Sequence, residues 1–496
     1  KQEDSHYFEI PNELLNREML LVTRISGYTE NLSFGGAGQK PRGQQVVRWQ
    51  RKGDKIMLRH VSFSSVADEE DPIYESVRNN NFEPVVYAFD IEALGEDSTS
   101  TVIDVTKLYT SDVRLLSGLR DFQRRQFQVR RLDGSRSFID SVRSYPENIE
   151  VRHVQTYDAG QPPADQETGT LSLEVNQSMI LLPEEPVVPR NFDPRVSYFS
   201  VSQYDYSSDE HRADRNRYIT RYNLVPKDKE AYLRGELVEP EEPIVYYLDP
   251  ATPKKWIPYL IQGIEDWQVA FEAAGFKNAI IGKEAPTPEE DPEFSPEDVR
   301  YSTMRYITNP IQNASGPHVH DPRSGQILES DIQWYHNIQN LLRNWLFIQT
   351  AAANPDAQKV KVADDVMGEM LRFVMAHEVG HTLGLPHNMG SSAAYTVEQL
   401  RDPEWTKTHG TAPSIMDYAR FNYVAQPGDG VTQFYPKIGE YDLWSIKWGY
   451  TWFPDVEDPD DEKERLNNWI VERADDPLYF FGNADGVDRD RQRPAD

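Results

Sequence analysis

The run His377-Glu378-Val379-Gly380-His381 sets two imidazoles four residues apart, with a carboxylate beside the first. On a helix, residues four apart lie one turn above each other on the same face. Two imidazoles so placed can bind a single Zn²⁺, each nitrogen about 2.0–2.1 Å from the ion. Glu378 then stands where it can take a proton from a water that the metal activates. Gly384 follows three residues after His381, and His387 three residues after Gly384. A glycine there permits the positive φ that stops a helix and turns the chain sharply, which brings His387 back as a third ligand. Three neutral imidazoles leave a fourth coordination position open, as in catalytic rather than structural zinc sites. Ordinary residue frequencies give the whole pattern a chance expectation on the order of 10⁻⁵ in a chain of this length, so stray histidines on an amphipathic helix are set aside.

A helix has to carry the first two ligands. Asp364 and Asp365 mark its start, since acidic residues suit the positive end of a helix dipole. Upstream, residues 244–248 read as a buried strand. Trp256, Leu260, Ile264, Trp267 and Phe271 recur at helical spacing and predict one long amphipathic helix ending near Gly275. Residues 279–281 read as a second short strand. After an acidic, Pro-rich loop at 286–296, an alternating strand is expected over 300–307 and another over 325–335.

Downstream of His387 stands Ser414-Ile415-Met416-Asp417-Tyr418. Together with the extended zinc motif, this segment resembles the Met-turn of the metzincin zinc peptidases. The resemblance implies that Met416 forms a soft hydrophobic floor beneath the metal. It implies that Tyr418, at the offset of a tyrosine found in the astacin-like and serralysin-like branches, can reach the zinc or the transition-state oxyanion. The order of strand, helix, strands and active-site helix is similar to the clan's upper half-domain, and residues 439–450 to its C-terminal helix. By that order the strand at 326–332 corresponds to the clan's edge strand above the cleft, to which a peptide could add by main-chain hydrogen bonding; an interior strand is the alternative. The residue after the third histidine tells branches of the clan apart. Here it is Asn388, which matches no familiar marker, so substrate preference is not carried over from any one branch.

The resemblance covers about residues 243–455. A β-rich region ahead of such a peptidase resembles the layout of large exported bacterial zinc-dependent metalloproteases, whose members usually run on into a further C-terminal domain. In the front region, two β-type runs at 46–50 and 56–59 flank Lys52-Gly53-Asp54, a hairpin signal. Further β-rich runs at 84–89, 101–105, 149–154 and 170–175 favour a sandwich- or barrel-like domain over βαβ units. The expected fold class is α+β, a metzincin-like zincin domain preceded by a mostly-β domain. The expected division is 1–190 (β-rich, role unassigned), 191–242 (connector), 243–455 (zinc peptidase) and 456–496 (acidic segment).

Composition bounds the rest. The 496 residues carry 52 Lys plus Arg against 81 Asp plus Glu, a formal net charge of −29. A strongly negative surface repels phosphate and argues against a nucleic-acid partner. No apolar run reaches the roughly 18 residues that a membrane-spanning helix requires. The absence of Cys excludes disulfides, thiolate zinc sites and a cysteine nucleophile. With the family resemblance it favours export to the periplasm, cell surface or exterior, although no signal-peptide pattern stands at the start of the sequence. His318 and His320 share a face if extended and could bind a second metal, polar residues before a turn being the simpler reading. The acidic run at 455–464 could bind Ca²⁺, with a solvated charge run the simpler alternative. The expected activity is a zinc-dependent endopeptidase with one catalytic Zn²⁺, Glu378 as general base and a peptide or protein substrate. Its rivals are a catalytically blocked zincin-fold binding or scaffold protein at the cell surface, and a zinc hydrolase of non-peptide amides. Oligomeric state is open.

Overall fold

The computed structural model of the protein describes residues 5–482 other than 33, 34, 97, 209 and 210, so part of the expected acidic segment, 483–496, lies outside the described residues. The chain forms two compact units. One comprises Lys1–Pro186, Gln203–Asn216 and Glu297–Arg300, and the other Val187–Ser202, Arg217–Pro296 and Tyr301–Asp496.

The first unit is built on a ten-stranded sheet. The predicted hairpin pairs Gln45–Lys52 with Lys55–Val61 and sets Lys52 opposite Lys55. Gly53 and Asp54 therefore make a two-residue turn, with Gly53 at φ 65°. The runs foreseen at 149–154 and 170–175 lie inside two 12-residue antiparallel strands, Asn148–Ala159 and Thr170–Leu181. The sheet curls as an open half-barrel around Leu21, Val47, Trp49, Ile56, Leu58 and Phe89, rather than stacking as two sheets.

In the second unit the elements that matter are, in chain order, β1 (Ile244–Leu248), α1 (Ile257–Glu265), α2 (Gln268–Ala273), β2 (Ile280–Glu284), β3 (Ser302–Ile307), β4 (Ala314–Ser315), β5 (His318–His320), β6 (Ile327–Tyr335), α3 (Ile338–Thr350), α4 (Asp364–Thr382) and α5 (Glu440–Tyr450). Strand β1 runs parallel to β2 and β3, and β3 parallel to β6. Helix α4 is buried on nearly every face, and Met370, Met375 and Val379 join Leu260, Ile264, Trp267 and Ile332 in one core.

Two expectations are corrected. Strand β6 is not the sheet edge, because β4 and β5 run antiparallel along it. Its near-continuous burial is that of an interior strand. The edge pieces are two and three residues long with Gly316-Pro317 between them, too short to show any alternating pattern. The long helix over 256–271 is two helices that part at Asp266-Trp267. Trp267 is fully buried and its Nε1 donates to the Ala376 carbonyl of α4 at 2.7 Å, while Asp266 pairs with Arg372 of α4 at 2.6 Å. These anchors onto α4 coincide with the break; the apolar spacing alone does not register it.

Candidate metal centre

Helix α4 presents His377 and His381 on one face, and Gly384 turns the chain away at φ 97°. A Cβ on Gly384 would lie 2.1 Å from the Thr220 carbonyl oxygen and 3.0 Å from Tyr198 Cδ1, so only glycine fits. The Phe199 N–H donates to the Gly384 carbonyl at 2.8 Å, and the Thr220 N–H donates to the Phe199 carbonyl at 2.7 Å. This strap closes over the turn. His387 then returns with its Nε2 3.1 Å from Nε2 of His381. One ligand-capable atom from each of the three imidazoles lies within 4.8 Å of the others, and among the described residues no other group of three or more His, Asp or Glu side chains is so placed.

Backbone carbonyls settle which ring nitrogens face inward. His377 Nδ1 lies 2.7 Å from the Ile415 carbonyl, and His381 Nδ1 lies 2.8 Å from the Leu385 carbonyl. A carbonyl can only accept, so each Nδ1 carries the proton and each Nε2 keeps a lone pair. Burial, reinforced by the neighbouring imidazole, pushes His381 down to about 4 and His377 well below the ordinary histidine range. Neutral imidazoles with free Nε2 atoms are what a metal requires. Two nitrogens on one tetrahedral ion at zinc distances stand about 3.3 Å apart, close to the 3.1 Å between His381 and His387. The residues present fit zinc.

Met416 is 1% exposed and lies against the ligand helix. A Cβ added to Gly380 would meet its sulfur at 2.2 Å and Trp267 at 2.8 Å. The turn that holds it is tied to α5. The buried Asp442 carboxylate accepts from Ser414 Oγ at 2.7 Å, from the Ile415 N–H at 2.7 Å and from the Gly439 N–H at 2.9 Å. Ile415 thus receives a hydrogen bond from His377 and gives one to Asp442, linking α5 to a candidate ligand.

Glu378 faces a cleft of about 430 Å³ that also exposes His377, His381, His387 and Tyr418. Burial pushes its carboxyl up to about 8, partly offset by the Gly316 N–H. Tyr418 is 47% exposed, and its ring centroid lies 4.4 Å from that of His387 and 5.7 Å from that of His377. Asn388 is fully buried. Its Nδ2 donates to the Phe480 carbonyl, its Oδ1 accepts from the Gly482 N–H, and its own N–H donates to the Met416 carbonyl. The residue that matched no branch marker therefore ties the Met-turn to residues 480–482.

Other candidates do not join this centre. His318 and His320 hydrogen-bond to each other through Nδ1 at 3.2 Å, with no third ligand among the described residues. In the acidic run, Asp461 accepts the N–H groups of Glu457 and Asp458, and Asp458 accepts that of Asp460, so these carboxylates cap local turns. Sequence reasoning missed Gly316, the strap residues Tyr198, Phe199 and Thr220, and Arg420. It also missed α3, which supplies Ile338, Leu341 and Trp345 to the cleft wall. Helix α3 carried a signal, since Ile338, Leu342 and Leu346 recur at spacing four and are all buried.

Residues 359–495 match the profile of a family described as Met-zincin, and they contain all three candidate ligands and the Met-turn. Residues 38–227 match a domain of unknown function (DUF5117), and residues 1–28 match another (DUF5118). The chain thus carries a Met-zincin domain behind these two N-terminal domains, which implies a metallopeptidase. No curated protein and no solved structure matches it. No helix among the described residues is long and apolar enough to cross a membrane.

Proposed function

We propose that the chain is a zinc-dependent endopeptidase, with His377, His381 and His387 as the metal ligands. The observation that carries this reading is the convergence of the three imidazoles in an open cleft that also holds a buried carboxylate. Bound there, Zn²⁺ supplies Lewis acidity, which polarises a peptide carbonyl and lowers the pKa of water. Glu378 accepts the proton of the attacking water on its carboxylate and returns it to the leaving amine nitrogen. Its burial suits it to hold that proton, and the ionised form it needs beforehand would be favoured by a divalent cation held on the three imidazoles. The Tyr418 hydroxyl donates a hydrogen bond to the developing oxyanion. Met416 supports the ligands from beneath. An extended substrate pairs with the backbone of β4, which ends the sheet and lines the cleft. The lack of Cys and the resemblance to exported bacterial metalloproteases support a site of action outside the cytoplasm.

The test combines metal analysis after dialysis with cleavage of a mixed peptide library, with and without chelator. Wild type should retain one zinc per chain and cleave in a chelator-sensitive way. Glu378→Gln should keep the zinc and lose about 10²–10⁴ in kcat. Full activity in that variant would overturn the base assignment. Zinc-loaded wild type that cleaves nothing would point to the blocked, scaffold reading instead.

A further inference from the structure

Arg420 shares the cleft with the candidate catalytic groups and has no role in the chemistry just described. Its backbone is left-handed, φ 56°, an uncommon state for a residue of this bulk that tends to occur at functional sites. Its guanidinium carbon lies 3.9 Å from the centre of the Trp345 ring and 5.2 Å from that of Tyr418. Trp345 belongs to the apolar wall formed with Leu341, Phe373 and Val374, so the cation lies against a hydrophobic surface inside the cleft. Stacking leaves the edge of a guanidinium, where its N–H groups point, free to hydrogen-bond. Arg420 has no carboxylate ion-pair partner among the described residues, and its buried Nε has no hydrogen-bond partner. Asp417, the nearby carboxylate in sequence, accepts instead from the Ser392 N–H at 2.7 Å.

We propose that Arg420 is a specificity-determining residue that binds a substrate carboxylate next to the scissile bond, while the wall around Trp345 packs the carbon chain that bears it. This rests on the peptidase reading of the same cleft. An aspartate or glutamate side chain and a free C-terminus present the same planar group, which a guanidinium grips through paired N–H donors. The long-range field of so acidic a protein repels such substrates, so the preference arises from contact and not from steering.

The experiment uses the full zinc-loaded chain and peptides in which Glu, Gln or Lys is scanned through three positions on each side of the cleavage site. Each peptide is made as a C-terminal acid and as an amide. Wild type should favour Glu over Gln at one position by about tenfold or more in kcat/KM, chiefly through KM. In Arg420→Gln that ratio should fall to within about twofold, and in Arg420→Glu it should turn towards Lys. A preference that follows the free acid over the amide, wherever Glu stands, would assign the site to the C-terminal carboxylate. Equal turnover of Glu and Gln peptides and of acids and amides by wild type, or a carboxylate preference that survives in Arg420→Gln, would overturn the proposal. Calorimetric binding of the same peptides to wild type and Arg420→Gln keeps the two readings separable. If nothing is cleaved, the peptidase reading fails, while carboxylate-selective binding lost in Arg420→Gln would still support the arginine's role and its absence would refute it.

Discussion

Replacing Gly384 by alanine adds one methyl group at the point where the ligand helix gives way to the segment that returns His387. Two costs arise. The backbone sits at φ 97°, well outside what an L-residue adopts readily, and even the ordinary left-handed region costs about 1–2 kcal/mol. The new Cβ would also stand 2.1 Å from the Thr220 carbonyl oxygen. That oxygen belongs to a strap whose own hydrogen bond joins Phe199 to the Gly384 carbonyl, so it cannot retreat without breaking a contact. Overpacking of this kind costs about 1–3 kcal/mol, for a total of about 2–5 kcal/mol. The strain has two outlets. If the turn holds, the metal-free protein melts about 3–8 °C lower, as the unfolding entropy of a unit of this size implies. If the turn shifts, His387 moves off the common centre and zinc affinity falls by about 30- to 4000-fold, the same free energy expressed in binding. Thermal melts of the metal-free protein and competition with a chromophoric zinc chelator together capture both outlets. Gly384→Asn eases the backbone but keeps the Cβ, so it should recover only part of the loss. If both variants stay within about 1 °C and threefold of wild type, the steric argument for this turn is wrong.

Tyr418→Phe removes one hydroxyl from the rim of the cleft. It should lower kcat by about 10²–10³ with zinc content and KM little changed, whereas unchanged kcat would remove Tyr418 from the chemistry. In the first unit, His153 is fully buried beside the Tyr109 ring, and burial pushes it down to about 4 from an ordinary value near 6.5. Between those values the unfolded chain takes up a proton that the folded chain refuses. Stability contributed by the neutral ring is therefore present above pH 6.5 and is lost as pH falls towards 4, by up to about 3 kcal/mol. Denaturant melts of the full chain from pH 7 to pH 4 should show this slope as the difference between wild type and His153→Gln in the transition of the first unit, because buried Glu150, pushed up to about 8, contributes a slope of opposite sign to both. An equal slope in the variant would refute the assignment.

The parts of the structure that were legible in the sequence are those whose signal is local. The ligand pattern, the start of α4 at Asp364, β1 and the hairpin around Gly53 each rest on residue types at fixed short spacing. What was not legible depends on partners far along the chain. The break before Trp267 coincides with an indole bond to a carbonyl more than a hundred residues away, and the sheet edge is made of pieces too short to have a period. Arg420 was passed over because a lone arginine after a turn carries no pattern at all. Its significance arises only where the cleft wall and the absence of an acidic partner among the described residues can be seen together.

The same distinction explains why the candidate metal centre carries no conspicuous second motif. A ligand histidine needs its outer nitrogen held, and side-chain carboxylates that do this leave a trace in sequence. Here the holding groups are main-chain carbonyls, Ile415 for His377 and Leu385 for His381, which any residue could supply. The specificity moves outward by one bond. Ile415 is fixed by Asp442, and the Leu385 turn depends on Gly384 beneath its strap. Asp442 and Gly384 thereby help to fix the tautomers of His377 and His381 without supplying a ligand themselves. Substitutions at Asp442 or Gly384 should for this reason resemble loss of a ligand more closely than loss of a core contact.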